Sequence, residues 1–310
     1  MSVSTGPTLQ AIWQSIPDGE PGPESAKVVI HGNRVLATHL VHGLRVEAEE
    51  REDGIRAVVS VESGVRIEHP VHMCFGMLPE RGLQHIELEV TMEPGSNASL
   101  LAHCTFPNAV DITHRMDAEI TIGNGATYSY FERHVHGRDG GVVVLPKARV
   151  RVGDDARFKT EFELIRGRVG KIDIDYETSV GARSVLEMVA RISGRGEDLI
   201  RINEKGRLEG EWARGVLTSY IAVRDRARAE VHNTLVATAP YARGHVDCKE
   251  IVKDEATAFA VPVVDVRHPK AHVTHEASIG SVDTKQLETL MSRGLSEDDA
   301  AELIIRGLLS

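Results

Sequence analysis

The chain predicts a mainly β protein built as a right-handed parallel β-helix, and three observations carry that reading. Short β-branched runs recur along most of the 310 residues, Gly, Asn and Asp separate them, and a small residue returns at a fixed interval just after the turns. Ala213, Ala227, Ala242, Ala256 and Ala271 are spaced 14, 15, 14 and 15 residues apart, while Ala98, Ala126 and Ala156 are spaced 28 and 30 apart, twice that unit. A small side chain at each inner corner lets stacked coils approach closely, and the alternating strand that follows fills a narrow interior. An antiparallel sandwich has similar turn spacing. Most strand pairs here, however, lack the Asn-Gly type of dipeptide that closes hairpins.

The elements follow in order. Thr8 to Ile16 reads as a short helix, stopped by Pro17-Asp18-Gly19 and a Pro/Gly-rich linker through Pro23. Val28-Val29-Ile30, Val35 to Thr38 and Val58 to Val61 begin the strands. Near the end, Leu287, Leu290 and Met291 give Thr284 to Arg293 helical spacing, and Gly294 sits where a C′ glycine belongs. Ser296 with Asp299 has the form of a capping box ahead of Ala300, Leu303 and Ile304. The expected organisation is an N-terminal helix and linker (1–27), a β-helix core (28–281) and C-terminal helices (282–310). The helices are expected to cap the solenoid. Leu295, Ile305, Leu308 and Leu309 add apolar surface suited to docking.

Composition narrows the function. A formal charge of −10 argues against a nucleic-acid or anionic-membrane surface. No run of about 18 apolar residues occurs, so no membrane span is expected. The first residues lack a basic region followed by an apolar run, which speaks against a secretory signal. Three cysteines without a close pair make no disulfide framework and point to the cytosol. Aromatic content of 4% suits thin layers better than one large aromatic core.

The common catalytic motifs for nucleotide binding, zinc proteases and serine hydrolases are absent from the sequence. No motif therefore marks the chain as an enzyme, and any nucleotide hydrolysis is expected in a partner. Cys248 lies one structural repeat before Thr274-His275-Glu276-Ala277, and a soft thiolate beside harder nitrogen and oxygen donors suits iron or an iron–sulfur cluster. His245, Asp247 and His272 lie close by in sequence. His134-Val135-His136 places two rings on one strand face, as a metal-facing pair or as hydrogen-bonded core residues. Cys104 and Cys248 also fit as small buried apolar side chains. Scattered acidic residues leave a carbohydrate-active solenoid enzyme as a further alternative.

From Ala98 onward the chain resembles the SufB/SufD family of iron–sulfur cluster assembly scaffolds, most closely over Ala256 to Ser310. His275-Glu276-Ala277 with Ile279-Gly280 is similar to the family's His-Glu-Ala-Thr signature. Met291-Ser292-Arg293-Gly294-Leu295-Ser296-Glu297 and Ile304-Ile305-Arg306-Gly307 are similar to its terminal Arg-Gly-containing helices. Pro70-Val71-His72-Met73-Cys74-Phe75-Gly76 resembles the short archaeal members. The resemblance implies a parallel β-helix, C-terminal helices that bind a SufC-like ABC-type ATPase, a scaffold homodimer, a sulfur donor and apo client proteins. It further implies a nascent cluster, [4Fe–4S] in type, built at the dimer interface.

Residue by residue, the resemblance makes Cys104, in Cys-Thr-x-Pro, the sulfur acceptor, and Cys248, His275 and Glu276 the metal ligands. Two cysteines of this kind make the chain SufB-like. A SufD-like docking subunit without its own cluster site is the alternative. Thr274 stands where SufB carries an acidic residue, so no ligand transfers to that position. The chain is shorter than bacterial SufB, so contacts made by the longer N-terminal region, and any flavin site, do not transfer either. No role transfers to Cys74.

Overall fold

The computed structural model describes residues 6–309. A helix, α1 (Pro7–Ser15), precedes four short strands, β1 (Lys27–His31), β2 (Arg34–His39), β3 (Leu44–Glu50) and β4 (Ile55–Val61). The solenoid continues through β5 (Val71–Gly76), β6 (Arg81–Met92), β7 (Asn97–Phe106), β8 (Asp111–Ile122), β9 (Thr127–His136) and β10 (Val142–Val152). Its middle coils are β11 (Arg157–Arg166), β12 (Gly170–Val180), β13 (Val185–Gly194), β14 (Leu199–Leu208) and β15 (Arg214–Val223). The last coils hold β16 (Arg228–Ala237), β17 (Arg243–Val252), β18 (Thr257–Val266) and β19 (His272–Gly280), followed by α2 (Thr284–Met291) and α3 (Glu297–Leu309).

Successive strands alternate between two sheets. One runs β19-β17-β15-β13-β11-β9-β7-β5-β1-β2 and the other β18-β16-β14-β12-β10-β8-β6-β4-β3. Every pairing from β5 onward is parallel, so each coil adds one strand to each sheet, as the alanine spacing predicts. The inward residues alternate with outward ones along almost every strand, and the inward set forms one continuous core. Among the described residues only the β1–β2 and β3–β4 hairpins are antiparallel, and they finish the N-terminal ends of the two sheets.

The corner ladder explains the repeat. The register stacks Ser96, Ala126, Ala156, Ser184, Ala213 and Ala242 at one corner, all buried. Immediately before each stands a residue in the left-handed region: Gly95, Gly125, Asp155, Arg183, Trp212 and Tyr241, with φ between 54° and 71°. A turn with positive φ at its third position reverses the chain in the fewest residues, and the small residue after it clears the coil below. At the top of this ladder Trp212 and Tyr241 stack with centroids 4.3 Å apart. Ala98, which spacing alone groups with the corners, lies inside β7 instead, where Ser96 holds the corner. The extra two residues come from Ser96-Asn97 entering the ladder with Ala126-Thr127.

The C-terminal helices form as expected but lie elsewhere. Asp283 caps α2 by accepting from the Gln286 amide at 2.7 Å, Gly294 has φ +95°, and the Ser296 hydroxyl bonds Asp299 at 2.6 Å. The hairpin lies on the outer face of the β15–β17 sheet: Ile305 and Leu309 pack on Ala222, Tyr220 and Ile251. Glu302 anchors it to Arg195 at 2.8 Å and Arg224 at 2.9 Å. The expected end cap is therefore an outer buttress, because the small outward Ala222 leaves a seat that the apolar stripe of α3 fills. Most of β18 and all of β19 stay partly or fully exposed. No helix among the described residues is long and apolar enough to cross a membrane.

Ala213 sits near the top of the corner ladder with no exposure. Ala213→Leu should destabilise the fold by about 1–3 kcal/mol through overpacking. Urea unfolding checks this against Ala48→Leu, at an exposed position, which should change little.

Candidate functional site

Period-two alternation decides where each candidate ligand points. On β7 the even-numbered residues face inward, so Cys104 is buried inside the solenoid. His134 of β9 is its register partner, and the inward Glu132 stands two residues before it. His114 comes from β8 in the opposite sheet. One ligand atom from each of Cys104, His114, Glu132 and His134 lies within 4.8 Å of all the others.

The carboxylate organises this cluster. Glu132 Oε1 lies 2.7 Å from His134 Nε2 and receives the Cys104 thiol at 3.9 Å. Its Oε2 accepts from the hydroxyls of Tyr130 at 3.1 Å and Tyr176 at 3.4 Å. His134 Nδ1 meets His136 Nε2 at 3.1 Å, and His136 Nδ1 bonds the Arg168 carbonyl at 3.2 Å. Burial pushes the Cys104 thiol well above its ordinary range, with the adjacent Glu132 adding to it. Burial likewise raises Glu132 and drops His114 and His134 to about 3. The His134–His136 pair therefore faces the core, and both readings open in the sequence meet there: the rings are hydrogen-bonded and one faces possible ligands.

The second candidate group lies at the open end. Cys248 faces inward from β17, with Ser219 beside it in register and the Asn233 amide 3.7 Å from its sulfur. Ala277 of β19 is its register neighbour on the other side, which puts His275 beside Val246, on the same inward face, one strand over and two residues back. Glu276 pairs with Asp247 on the outward face and forms an ion pair with Lys249 at 3.7 Å. Adjacent strand residues cannot share a face, so His275 and Glu276 diverge. The carboxylate that shares the Cys248 face is Glu250, two residues on. Neither of its oxygens has a hydrogen-bond partner among the described residues. Burial, aided by Asp247, raises it to about 7. The same i, i+2 spacing that flagged the two histidines marks Glu250 from sequence. Burial also raises the Cys248 thiol. Cys74 serves packing: it is enclosed with Leu9, Ile12, Trp13 and Val29 beneath α1.

The two thiols are far apart, with a line of polar side chains between them. Five strand spacings of about 4.8 Å separate β7 from β17, roughly 24 Å. On the Cys104 sheet the inward residues between them are largely apolar, including Phe162, Leu164, Ile192 and Ile221. The facing sheet supplies a polar seam instead. Tyr176, Glu204 and Asn233 are consecutive register partners on β12, β14 and β16. The seam starts at Glu132 through Tyr176 and reaches Cys248 through Asn233. Glu204, fully enclosed in it, is raised by burial to about 8, and its Oε2 has no partner among the described residues. Nothing in the strand pattern distinguishes Glu204 or Asn233 from outward polar residues until the register is known.

The fold is a parallel two-sheet solenoid that turns thiol, imidazole and carboxylate groups toward its interior. Comparison with known proteins gives its family. The family model for the SufBD core domain of the SUF iron–sulfur cluster assembly system matches residues 77–308. A SufBD-family iron–sulfur cluster assembly protein of Methanocaldococcus jannaschii is 38% identical over 283 residues, covering 91% of this chain and 90% of that protein. One from Pyrococcus horikoshii is 34% identical over 288 residues, covering 93% and 88%. The cluster assembly protein SufB of Bacillus subtilis is 23% identical, covering 81% of this chain and 54% of that protein. The chain belongs to the SufBD family of iron–sulfur cluster assembly proteins.

The buried carboxylates set a pH dependence. Glu204 and Glu250 have folded values of about 8 and about 7 against an ordinary 4.5. Between those limits the native state holds more protons than the unfolded chain, so stability is greatest below about pH 4.5 on their account and falls as pH rises through 7 to 8. Unfolding midpoints should therefore drop from pH 5.5 to pH 8.5. Glu204→Gln should remove about 3 kcal/mol of the stability lost over that range.

Proposed function

We propose that the protein is a SufB-like scaffold of a SUF-type assembly complex, which takes up sulfur and iron and builds a transient [4Fe–4S] cluster as cargo. The observation that carries this reading is the polar seam from Cys104 to Cys248, enclosed in a largely apolar solenoid and ending at an uncovered coil. Such a seam stabilises polar or anionic sulfur where an apolar core would exclude it.

Cys104 accepts sulfur as a persulfide in this reading: its thiolate attacks the outer sulfur of a donor persulfide, and the donor thiolate leaves. Because the thiol is buried and raised, acceptance requires a transient opening of the neighbouring coil. Tyr176 and Asn233 can donate hydrogen bonds along the seam, and Cys248 with His275 receives iron at its end. Glu276, facing outward, can reach a shared cluster only from the dimer side, whereas Glu250 faces Cys248 directly. Two chains meeting at their open coils would supply enough ligands while holding the cargo weakly. The exposed edges of β18 and β19, with Phe259 and Ile279 uncovered there, support a homodimer at this end.

The hairpin α2–α3 is proposed to dock a SufC-like ATPase, which would hydrolyse ATP in place of the scaffold. Ile305 and Leu309 are used internally, which leaves Met291 and Leu303 as exposed apolar contacts.

Anaerobic reconstitution with iron and sulfide, read by absorption and Mössbauer spectra, tests the cluster site. Wild type should hold a cluster and Cys248→Ser should lose it while keeping its fold. A normal cluster on Cys248→Ser would remove the ligand assignment, and no cluster on either protein would favour a SufD-like docking subunit. Asn233→Leu tests the seam, because it should slow cluster formation from a persulfide donor and spare formation from free sulfide.

A further inference from the structure

The hydrogen bonds around Glu132 fix the tautomers of His114 and His134. Gln84 fixes the first ring. Its Nε2 donates to the carbonyls of Gly32 at 2.7 Å and Gly76 at 3.4 Å, so its Oε1 must accept from His114 Nδ1–H at 2.9 Å. Neutral His114 therefore presents a bare Nε2. A second relay fixes His134. The Arg168 carbonyl can only accept, so His136 Nδ1 carries the proton, His136 Nε2 accepts, and His134 Nδ1 donates to it at 3.1 Å.

His134 then also presents a bare Nε2, and this atom lies 2.7 Å from Glu132 Oε1. Two lone-pair atoms cannot face each other at that distance without a positive charge between them. A single proton would serve this one pair alone. The Cys104 sulfur, 3.9 Å from Glu132 Oε1, and a His114 ring nitrogen converge on the same point, with all four ligand atoms within 4.8 Å of one another. One metal ion would serve all four.

We propose that Cys104, His114, Glu132 and His134 bind a four-coordinate divalent transition-metal ion of the zinc class, inside the N-terminal half of the solenoid and apart from the thiol at the open end. One thiolate and one carboxylate neutralise the ion's two charges, as a fully buried site demands. Bond lengths of about 2.0–2.3 Å put tetrahedral ligand atoms about 3.3–3.7 Å apart. The observed contacts of 2.7 Å and 3.9 Å straddle that range. Both histidines have their second nitrogen held, and Tyr130 and Tyr176 hold the other carboxylate oxygen, which is the outer support that metal ligands need. Phe106 and Phe162 pack against the rings and keep the site dry. Because His114 comes from the opposite sheet, the ion ties the two sheets together across the core. The inference rests on these side chains and not on the sulfur-accepting role of Cys104, which requires the thiolate to be released from the ion.

Cobalt(II) titration of metal-free protein tests it, using the Cys74→Ser, Cys248→Ser double variant, whose single remaining thiol is Cys104. One ion per chain is expected, with a thiolate-to-cobalt charge-transfer band, the strong visible bands of four-coordinate cobalt and a raised melting temperature. Displacement by zinc should abolish the colour. Gln84→Leu, which frees the His114 ring, should weaken binding about 10- to 100-fold. Cys104→Ser should lose the charge-transfer band. A folded double variant that takes up no cobalt, or gives only the weak spectrum of a six-coordinate ion, overturns the proposal, as does a band that survives Cys104→Ser. If Cys104→Ser does not fold, the double variant decides. Since Cys248 is absent from that variant, its result is independent of cluster reconstitution.

Discussion

The parallel coil-on-coil register is the constraint on which the rest of the protein depends. Each inward residue stands directly over its counterparts in the coils above and below, and the strand period of two admits no intermediate orientation. A shift of one residue would turn Cys104, Glu132 and His134 out to solvent together. The corner ladder of small residues, each entered from a left-handed residue, prevents that slip by making every coil reverse at the same place. Site geometry is thus set by turns remote from any reactive group. It also explains why His275 and Glu276, adjacent in sequence, serve opposite faces.

Against that register, the polar interior is an expense in stability. A buried carboxylate oxygen without a partner costs a few kcal/mol unless the group takes up a proton, and Glu204 Oε2 and both oxygens of Glu250 are held in that condition. Replacing them by Leu or Ile would suit the solenoid better, as the neighbouring columns of Leu164, Ile192 and Ile221 demonstrate. Stability alone therefore gives no account of a line of polar groups joining two thiols, whereas a protein that moves charged or polar cargo between them has a use for it.

Much of this was legible before the structure. The alanine spacing contains the coil length, and the caps of α2 and α3 are readable because helix ends follow short local rules. Cys248 and His275 stand out by type and spacing, and the register puts them on one inward face. Three features were hidden for a common reason. Ala98 falls out of the corner ladder, α3 lies on the sheet's outer face and Glu204 joins the seam because of contacts between coils, and local sequence carries no record of which residue a strand meets 28 to 30 positions away. Glu250 is different: its i, i+2 relation to Cys248 was available, but outward and inward carboxylates look alike until one strand face is known to be buried.

Glu132 joins the two chemistries of the interior. Its Oε1 faces the thiol and imidazole of the compact four-residue cluster, while its Oε2 faces the tyrosine hydroxyls at which the seam begins. A cation on Oε1 draws electron density from the carboxylate and weakens its hold on Tyr176, and loss of that cation strengthens it. Binding of the proposed ion would thereby alter the first hydrogen bond of the seam. A carboxylate shared in this way would couple that ion to the polar side chains lying between Cys104 and Cys248.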